Sequence, residues 1–254
     1  PDHREVKLMA NKAFLTEDGH GLVDFSSLTL RRLEDNVKNV LDDLHKNVYQ
    51  TSSPARLIAV TKTVSAQVVQ ALFALGILDI GENRVQVAQP KLLQIGEDSE
   101  FRLHWIGRLQ TNKVKDIIDK VFMLHSLDRL ALAQEVERRA GDRGLILPAL
   151  VQVNIAEEPQ KTGLSADELL PFLKRMKDFP NIRVQGLMAM MPYTQDTAEL
   201  ERLFRSMRAL FDRMRDEAVD GVEMRELSMG MSNDYAIAAR CGATMVRVGT
   251  ALYQ

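Results

Sequence analysis

The sequence predicts an α/β fold, a single (β/α)8 TIM barrel with an extra N-terminal helix. Three observations carry that expectation. Strand-like and helix-like segments alternate, giving about eight strands; no composition shift or long linker divides them; and the length of 254 residues is usual for one such barrel. An open doubly wound sheet is the nearest competitor, but no Gly-x-Gly-x-x-Gly follows the first strand. Residues 1–28 stand apart as an N-terminal extension, and residues 29–254 form the barrel domain.

The elements follow in order. Leu30, Leu33, Val37, Val40, Leu41, Leu44 and Val48 recur at helical spacing, with Ser27 placed to cap the start. The first strand, 57–62, leads into a helix from Ser65 as N-cap to Gly76 just past its end. Leu78-Asp79-Ile80 forms the second strand and ends in Gly81-Glu82-Asn83. A further helix precedes the apolar run 103–107, and Val114, Ile117 and Ile118 then share one face of segment 112–120. Residues 121–125 read as a fourth strand, 128–139 as a helix closed by Gly141, and 149–155 as a valine-rich fifth strand. Ser165 caps a helix reaching Lys177, in which Pro171 predicts a late start or a kink. After a sixth strand at 183–190, the stripe from Leu200 to Met214 is the cleanest in the chain, its methionines core filler rather than ligands. Strands 225–227 and 245–248, with a helix 234–240 between them, complete the count.

Composition excludes several classes. Hydrophobic residues at 45% supply a sizeable core, while a net charge of -2 leaves no electrostatic footprint for nucleic acid or an anionic membrane. The single cysteine, Cys241, excludes an internal disulfide, and the five histidines form no ligand-spaced cluster for zinc. No apolar run is long enough to span a bilayer, and no basic region followed by a hydrophobic stretch opens the chain, so a reducing, cytoplasmic setting is expected.

The period of two places Ile58, Val60 and Lys62 on one face, which carries the Lys62 amine to the open end of the barrel interior. There it is expected to be partly desolvated, which lowers its pKa and leaves free amine to form a Schiff base with a carbonyl. The alternative is a lysine snorkelling from a strand end into water. Active groups of such barrels sit at the carboxyl ends of strands, and a phosphate commonly binds after the seventh and eighth. Those two positions hold Ser228-Met229-Gly230-Met231-Ser232 and Arg247-Val248-Gly249-Thr250. Gly230 and Gly249 would admit backbone amides to phosphate oxygens, Ser232 and Thr250 add hydroxyls, and a following helix N-terminus adds partial positive charge. Placed opposite the Lys62 end, they point to a phosphorylated aldehyde.

Around this centre, Asn83 is positioned to bond a ligand oxygen or orient Lys62, or is a turn residue; Glu82 is a base or a salt-bridge partner. Arg247 points inward if Val246 and Val248 point outward, and donates to a ligand ring atom or pairs with a barrel carboxylate. Lys161 lies on the same face as a solvated loop lysine, and His104 and Trp105 read as satisfied core groups.

Together Ala59-Val60-Thr61-Lys62, Gly81-Glu82-Asn83-Arg84-Val85-Gln86, His104-Trp105-Ile106-Gly107-Arg108-Leu109-Gln110-Thr111-Asn112-Lys113, Leu227-Ser228-Met229-Gly230-Met231-Ser232 and Val246-Arg247-Val248-Gly249-Thr250 resemble the pyridoxal phosphate homeostasis protein family, the YggS/PROSC type, over roughly residues 29–254. The resemblance implies a barrel similar to the N-terminal domain of alanine racemase, binding pyridoxal 5'-phosphate (PLP) as an internal aldimine on Lys62. By the same matching, Ser232, Gly249 and Thr250 surround the phosphate, Arg247 faces the pyridine nitrogen, and Asn83, Ser228 and Met229 complete the cofactor-binding set. An always-charged arginine there discourages protonation of the ring nitrogen and weakens the ring as an electron sink, which suits a holder of the cofactor. The resemblance further implies buffering or delivery of PLP, transfer to PLP-dependent apo-enzymes, no robust catalysis, and a role for Lys161 in cofactor entry or transfer; with no second domain to build an intersubunit site, a monomer is expected. Relatives usually continue past the last strand with a glycine-rich, basic tail, whereas this chain stops at Tyr253-Gln254.

Two enzymes compete with this expectation. A PLP-dependent racemase or transaminase of weak activity keeps the barrel and the lysine, but racemisation needs a second acid/base on the opposite face of the substrate carbon, which alanine racemases draw from an added C-terminal domain. A Schiff-base aldolase would use Lys62 with no cofactor and so lack a visible absorption band. A third alternative is a binding module in which PLP is merely structural.

Overall fold

Eight strands, β1 (Arg56–Val60), β2 (Asp79–Glu82), β3 (Arg102–Trp105), β4 (Met123–Leu127), β5 (Leu147–Val153), β6 (Ile182–Ala189), β7 (Val222–Ser228) and β8 (Met245–Val248), pair in parallel in chain order and close when β8 returns to β1. They were obtained from a computed structural model, which describes residue 25 and residues 28–50, 52–96, 100–158 and 162–254. Parallel neighbours need a crossover, and the outer layer supplies it with α2 (Ala66–Ala74), α3 (Val85–Ile95), α4 (Leu130–Gly141), α5 (Ala166–Arg175), α6 (Thr197–Asp216) and α7 (Tyr235–Arg240), plus a 3-10 helix at Thr111–Asp116 after β3. The predicted barrel is therefore present, each strand lying within a few residues of its expected place.

The barrel is filled. Ile58, Met123, Leu150, Met188 and Met245 form a small apolar cluster of their own, separate from the large core between sheet and helices. Their positions fix the inward parity of β1, β4, β5, β6 and β8, and Gly81 gives it for β2, since a Cβ there would stand 3.2 Å from Ile58 Cγ2. Gly186 is required by close approach: at φ +150° an added Cβ would lie 1.8 Å from the Glu226 carbonyl oxygen, and strand register shifts on both sides of this residue.

Outside the barrel, α1 (Leu30–Lys46) turns Leu33, Val37, Val40 and Leu44 inward and packs on α7 and the short terminal α8 (Thr250–Tyr253). Asn36 Nδ2 donates to the carbonyls of Leu252 and Gln254, each at 3.0 Å, and so ties α1 to the chain end. The observed N-cap is Thr29, whose Oγ1 accepts from Arg32 N at 3.2 Å; the expected cap, Ser27, lies outside the described residues, as do residues 1–24 and Lys161. Pro171 does not delay α5. The helix starts directly after Ser165, where a capping box with Glu168 fixes the first turn. No helix among the described residues is long and apolar enough to cross a membrane.

Candidate functional site

Lys62 stands in the turn just beyond β1. Thr61 N–H donates to the Gly81 carbonyl of β2 at 3.0 Å, and Val64 N–H returns to the Thr61 carbonyl at 3.1 Å, so Lys62 is presented at the rim while its neighbours are pinned. The lysine is exposed. The desolvation expected of its amine is therefore not present: strand parity set the direction of the side chain, but β1 ends two residues earlier and the residue clears the barrel.

Below the turn lies a buried ion pair. Lys91 Nζ of α3 donates to Glu82 Oε1 at 2.7 Å and to the Thr61 carbonyl at 2.5 Å, while Thr61 Oγ1 donates to the same carboxylate oxygen at 2.7 Å. Glu82 is thus a salt-bridge partner that grips the peptide preceding Lys62, not a free base. Asn83 follows it, half-buried, with its backbone against Gly107, where a Cβ would stand 2.6 Å from the Asn83 carbonyl oxygen.

Closure of the barrel puts the loop after β8 beside the Lys62 end rather than opposite it. Ala59 pairs with Val248, and a Cβ on Gly249 would lie 3.2 Å from Val60 Cβ. In this corner Ser232 Oγ accepts from Gly249 N at 3.1 Å and Ala251 N at 3.2 Å. Two amides converge on one oxygen whose own hydrogen remains to be donated. Gly230, at φ +92°, makes the loop after β7 possible, since a Cβ would meet Ala238 Cβ at 2.5 Å. Thr250 is exposed at the start of α8, a single turn with little macrodipole to offer. Met229 is buried and its N–H is committed to the Met245 carbonyl at 3.1 Å.

Arg247 points into the barrel, as expected, and finds no carboxylate within hydrogen-bond reach among the described residues. Its Nη1 donates to Ser228 Oγ at 2.7 Å and its Nη2 to the Ala189 carbonyl at 2.9 Å. Burial pushes the guanidinium pKa down to about 10, partly opposed by the charge of Asp234, so it remains a cation at neutral pH. Beneath Ser228 the interior is polar: His125 Nδ1 lies 3.0 Å from Ser228 Oγ, His125 Nε2 2.8 Å from His104 Nδ1, and His104 Nε2 2.8 Å from Asp79 Oδ1. Asp79 in turn receives Arg102 at 2.7 and 2.5 Å.

The structure therefore joins Ser228 to Arg247 and Ser232 to Gly249, and sets Lys62 beside the second pair. Sequence reasoning missed His125, Asp79 and Lys91. The signal available for the first two was parity: Asp79 and Gly81, Arg102 and His104, and Met123 and His125 each stand two apart on inward positions. His104 is a satisfied core group, as expected, whereas the buried Trp105 Nε1 has no hydrogen-bond partner among the described residues.

A closed β/α barrel with a lysine at its C-terminal mouth, flanked by an amide-lined corner and a buried arginine, defines a barrel of the alanine racemase type. A model of the family described as "Alanine racemase, N-terminal domain" matches residues 29–254. The "Pyridoxal phosphate homeostasis protein" of Aquifex aeolicus is 38% identical over 199 residues, 78% of this chain and 86% of the relative. The structure of PipY from Synechococcus elongatus with PLP bound superposes with a TM-score of 0.77 at 28% identity, covering 87% of this chain and 100% of that one. Alanine racemase from Corynebacterium glutamicum, at 16% identity and a TM-score of 0.68 over 89% of this chain and 61% of its own, shares the fold alone. The chain belongs to the pyridoxal phosphate homeostasis protein family, built on the alanine racemase N-terminal domain.

Proposed function

We propose that this chain binds pyridoxal 5'-phosphate at the barrel mouth and acts in PLP homeostasis, holding the cofactor and making it available to apo-enzymes that need it. The observation that carries the reading is the corner where Ser232 Oγ gathers the amides of Gly249 and Ala251 beside β1, which ends two residues short of Lys62. The donor set fits the group. A phosphate takes the hydroxyls of Ser232 and Thr250 and the backbone amide of Thr250 at the start of α8, and the guanidinium of Arg247 has N–H groups beyond the two used on Ser228 and Ala189 for a pyridine nitrogen. Lys62, exposed at the rim, holds the cofactor covalently through its amine; Asn83, Ser228 and Met229 line the floor and side.

When bound, the cofactor supplies an aldehyde for an amine and a ring that can withdraw electron density. This chain's residues limit the second of these. Arg247 stays a cation and donates, so the ring nitrogen is kept unprotonated and the ring is a poor electron sink, in keeping with relatives named for homeostasis and not for catalysis. We place the protein in the cytoplasm as a monomer.

The test is the visible absorption spectrum of the purified protein and of Lys62→Ala, before and after borohydride, then with added amino acids. A Lys62-dependent band that borohydride fixes on residue 62, with no amino-acid turnover, supports a cofactor carrier. Absence of the band after PLP is added sinks the reading and leaves a cofactor-free aldolase; rapid turnover of amino acids revives an enzyme.

A further inference from the structure

His125 on β4 reaches Ser228 on β7, a contact between non-adjacent strands that only the barrel interior permits. The chain Arg247, Ser228, His125, His104, Asp79, Arg102 thus runs through the barrel from the carboxyl end of β8 to the first residue of β3, and its four middle members are buried. Chemistry fixes the direction of every bond. The Asp79 carboxylate can only accept, so His104 Nε2 carries a hydrogen. A neutral His104 then has a bare Nδ1, and the 2.8 Å contact requires His125 Nε2 to donate. His125 Nδ1 is bare in its turn, Ser228 Oγ–H donates to it, and the lone pairs of Ser228 face the Arg247 guanidinium.

Reversing any link sets two donors or two lone pairs face to face. Adding a proton to either ring buries a further cation among Arg247, Arg56 and Arg102, and burial with these charges keeps both imidazoles neutral, His125 most strongly. On the acid side, burial alone would raise Asp79, but hydrogen bonds from Arg102 and His104 and the charge of Arg102 outweigh it and hold the carboxyl well below its usual range.

We propose that Asp79, His104 and His125 are positioning residues, a one-directional hydrogen-bond chain that locks the Ser228 hydroxyl as an acceptor for Arg247 and so fixes the guanidinium edge presented to the cofactor ring. The cofactor end of this statement rests on the function proposed above; the direction of the chain does not. Asp79 acts through three intervening side chains, so its substitution tests the idea at a distance. In Asp79→Asn the side-chain amide can donate where the carboxylate only accepts, which permits the chain to reverse and the Ser228 hydrogen to swing away from His125.

The experiment is 15N NMR of histidine- and arginine-labelled protein without cofactor, followed by PLP titration. In the wild type both rings are neutral at about pH 7.5 and show the Nε2–H tautomer, and Arg247 side-chain N–H signals are resolved. In Asp79→Asn the His125 signals move towards a tautomer mixture, the Arg247 signals broaden, and PLP affinity falls at least threefold in a way that does not add to the loss in Arg247→Lys. If Asp79→Asn does not fold, His125→Leu, which removes the acceptor for Ser228 together with the donor to His104, makes the same prediction at Arg247. A charged ring at about pH 7.5, an Nδ1–H on His125, or Arg247 signals unchanged in the variant overturns the proposal. Failure to bind PLP at all sinks the function reading alone, because the cofactor-free spectra still decide the chain.

Discussion

Lys91→Met isolates what the buried ion pair does. The substitution keeps volume and removes the ammonium, leaving the buried Glu82 carboxylate with the Thr61 hydroxyl at 2.7 Å on Oε1 and no partner among the described residues on Oε2. The Thr61 carbonyl loses its 2.5 Å donor at the same time. Breaking a buried pair from one side costs about 3–5 kcal/mol, since the orphaned charge carries its full desolvation penalty. At roughly 2–4 °C per kcal/mol for a chain of this size, the melting midpoint should fall by about 6–20 °C.

Chemical denaturation with an unchanged slope would read the same loss as a shifted midpoint. Adding Glu82→Leu to Lys91→Met removes the orphan, so the double variant should be more stable than Lys91→Met alone. Because the lost donor held the peptide just before Lys62, the single variant should also bind PLP more weakly at the Lys62 band. A loss below about 1 kcal/mol in Lys91→Met, or a double variant as unstable as the sum of the two singles, would refute the argument that desolvation dominates this pair.

The buried imidazoles give stability a pH dependence of determined sign. Their folded pKa values lie below the ordinary 6.5, His125 most strongly, so their contribution is complete above about pH 6.5 and is lost below it, as the unfolded chain binds protons that the native state refuses, at up to about 1.4 kcal/mol per pH unit for each ring until its folded pKa is reached; denaturation midpoints from pH 8 to 5 should show this fall, and His125→Asn should remove the larger share of it. Gly186→Ala, which drives a Cβ to 1.8 Å from a backbone oxygen of β7, should cost more than about 4 kcal/mol and abolish soluble yield, whereas Gly76→Ala, with nothing within 4 Å at φ +81°, should cost only about 1–2 kcal/mol in a thermal melt. Ser232→Ala strips the shared acceptor from Gly249 and Ala251 and a hydroxyl from the cofactor corner, and an equilibrium titration should find PLP binding about tenfold weaker, the equivalent of about 1.4 kcal/mol.

The barrel was legible because its evidence is local. Period-two strands, helical stripes such as Leu200 to Met214 and the glycines that close helices are each readable within about 15 residues. The site was legible in part for the same reason: Ser232 and Gly249 lie in short polar loops at strand ends. Depth was not. Parity gave Lys62 a direction but could not show that β1 stops at Val60, and among Ser26, Ser27 and Thr29 the capping residue follows from Leu28 being packed into the core just before the helix, which is a tertiary event.

The buried chain shows what sequence could have yielded with one further rule. His104, His125 and Ser228 are single polar residues in apolar runs, and the links of the chain join residues 21, 25 and 103 positions apart, so no window contains them. In a closed barrel, however, a polar side chain at an inward position away from the barrel ends cannot reach solvent through the sheet and must find a partner inside. Listing inward polar residues by parity from each strand returns Arg56, Asp79, Arg102, His104, His125, Gln152, Glu226, Ser228 and Arg247, and each of these is hydrogen-bonded to another residue. Two of these, Ser228 and Arg247, were also assigned to the cofactor by motif matching. On the proposed function that overlap ties the interior network to the site, while other inward positions are filled with apolar side chains at Ile58, Met123, Leu150, Met188 and Met245.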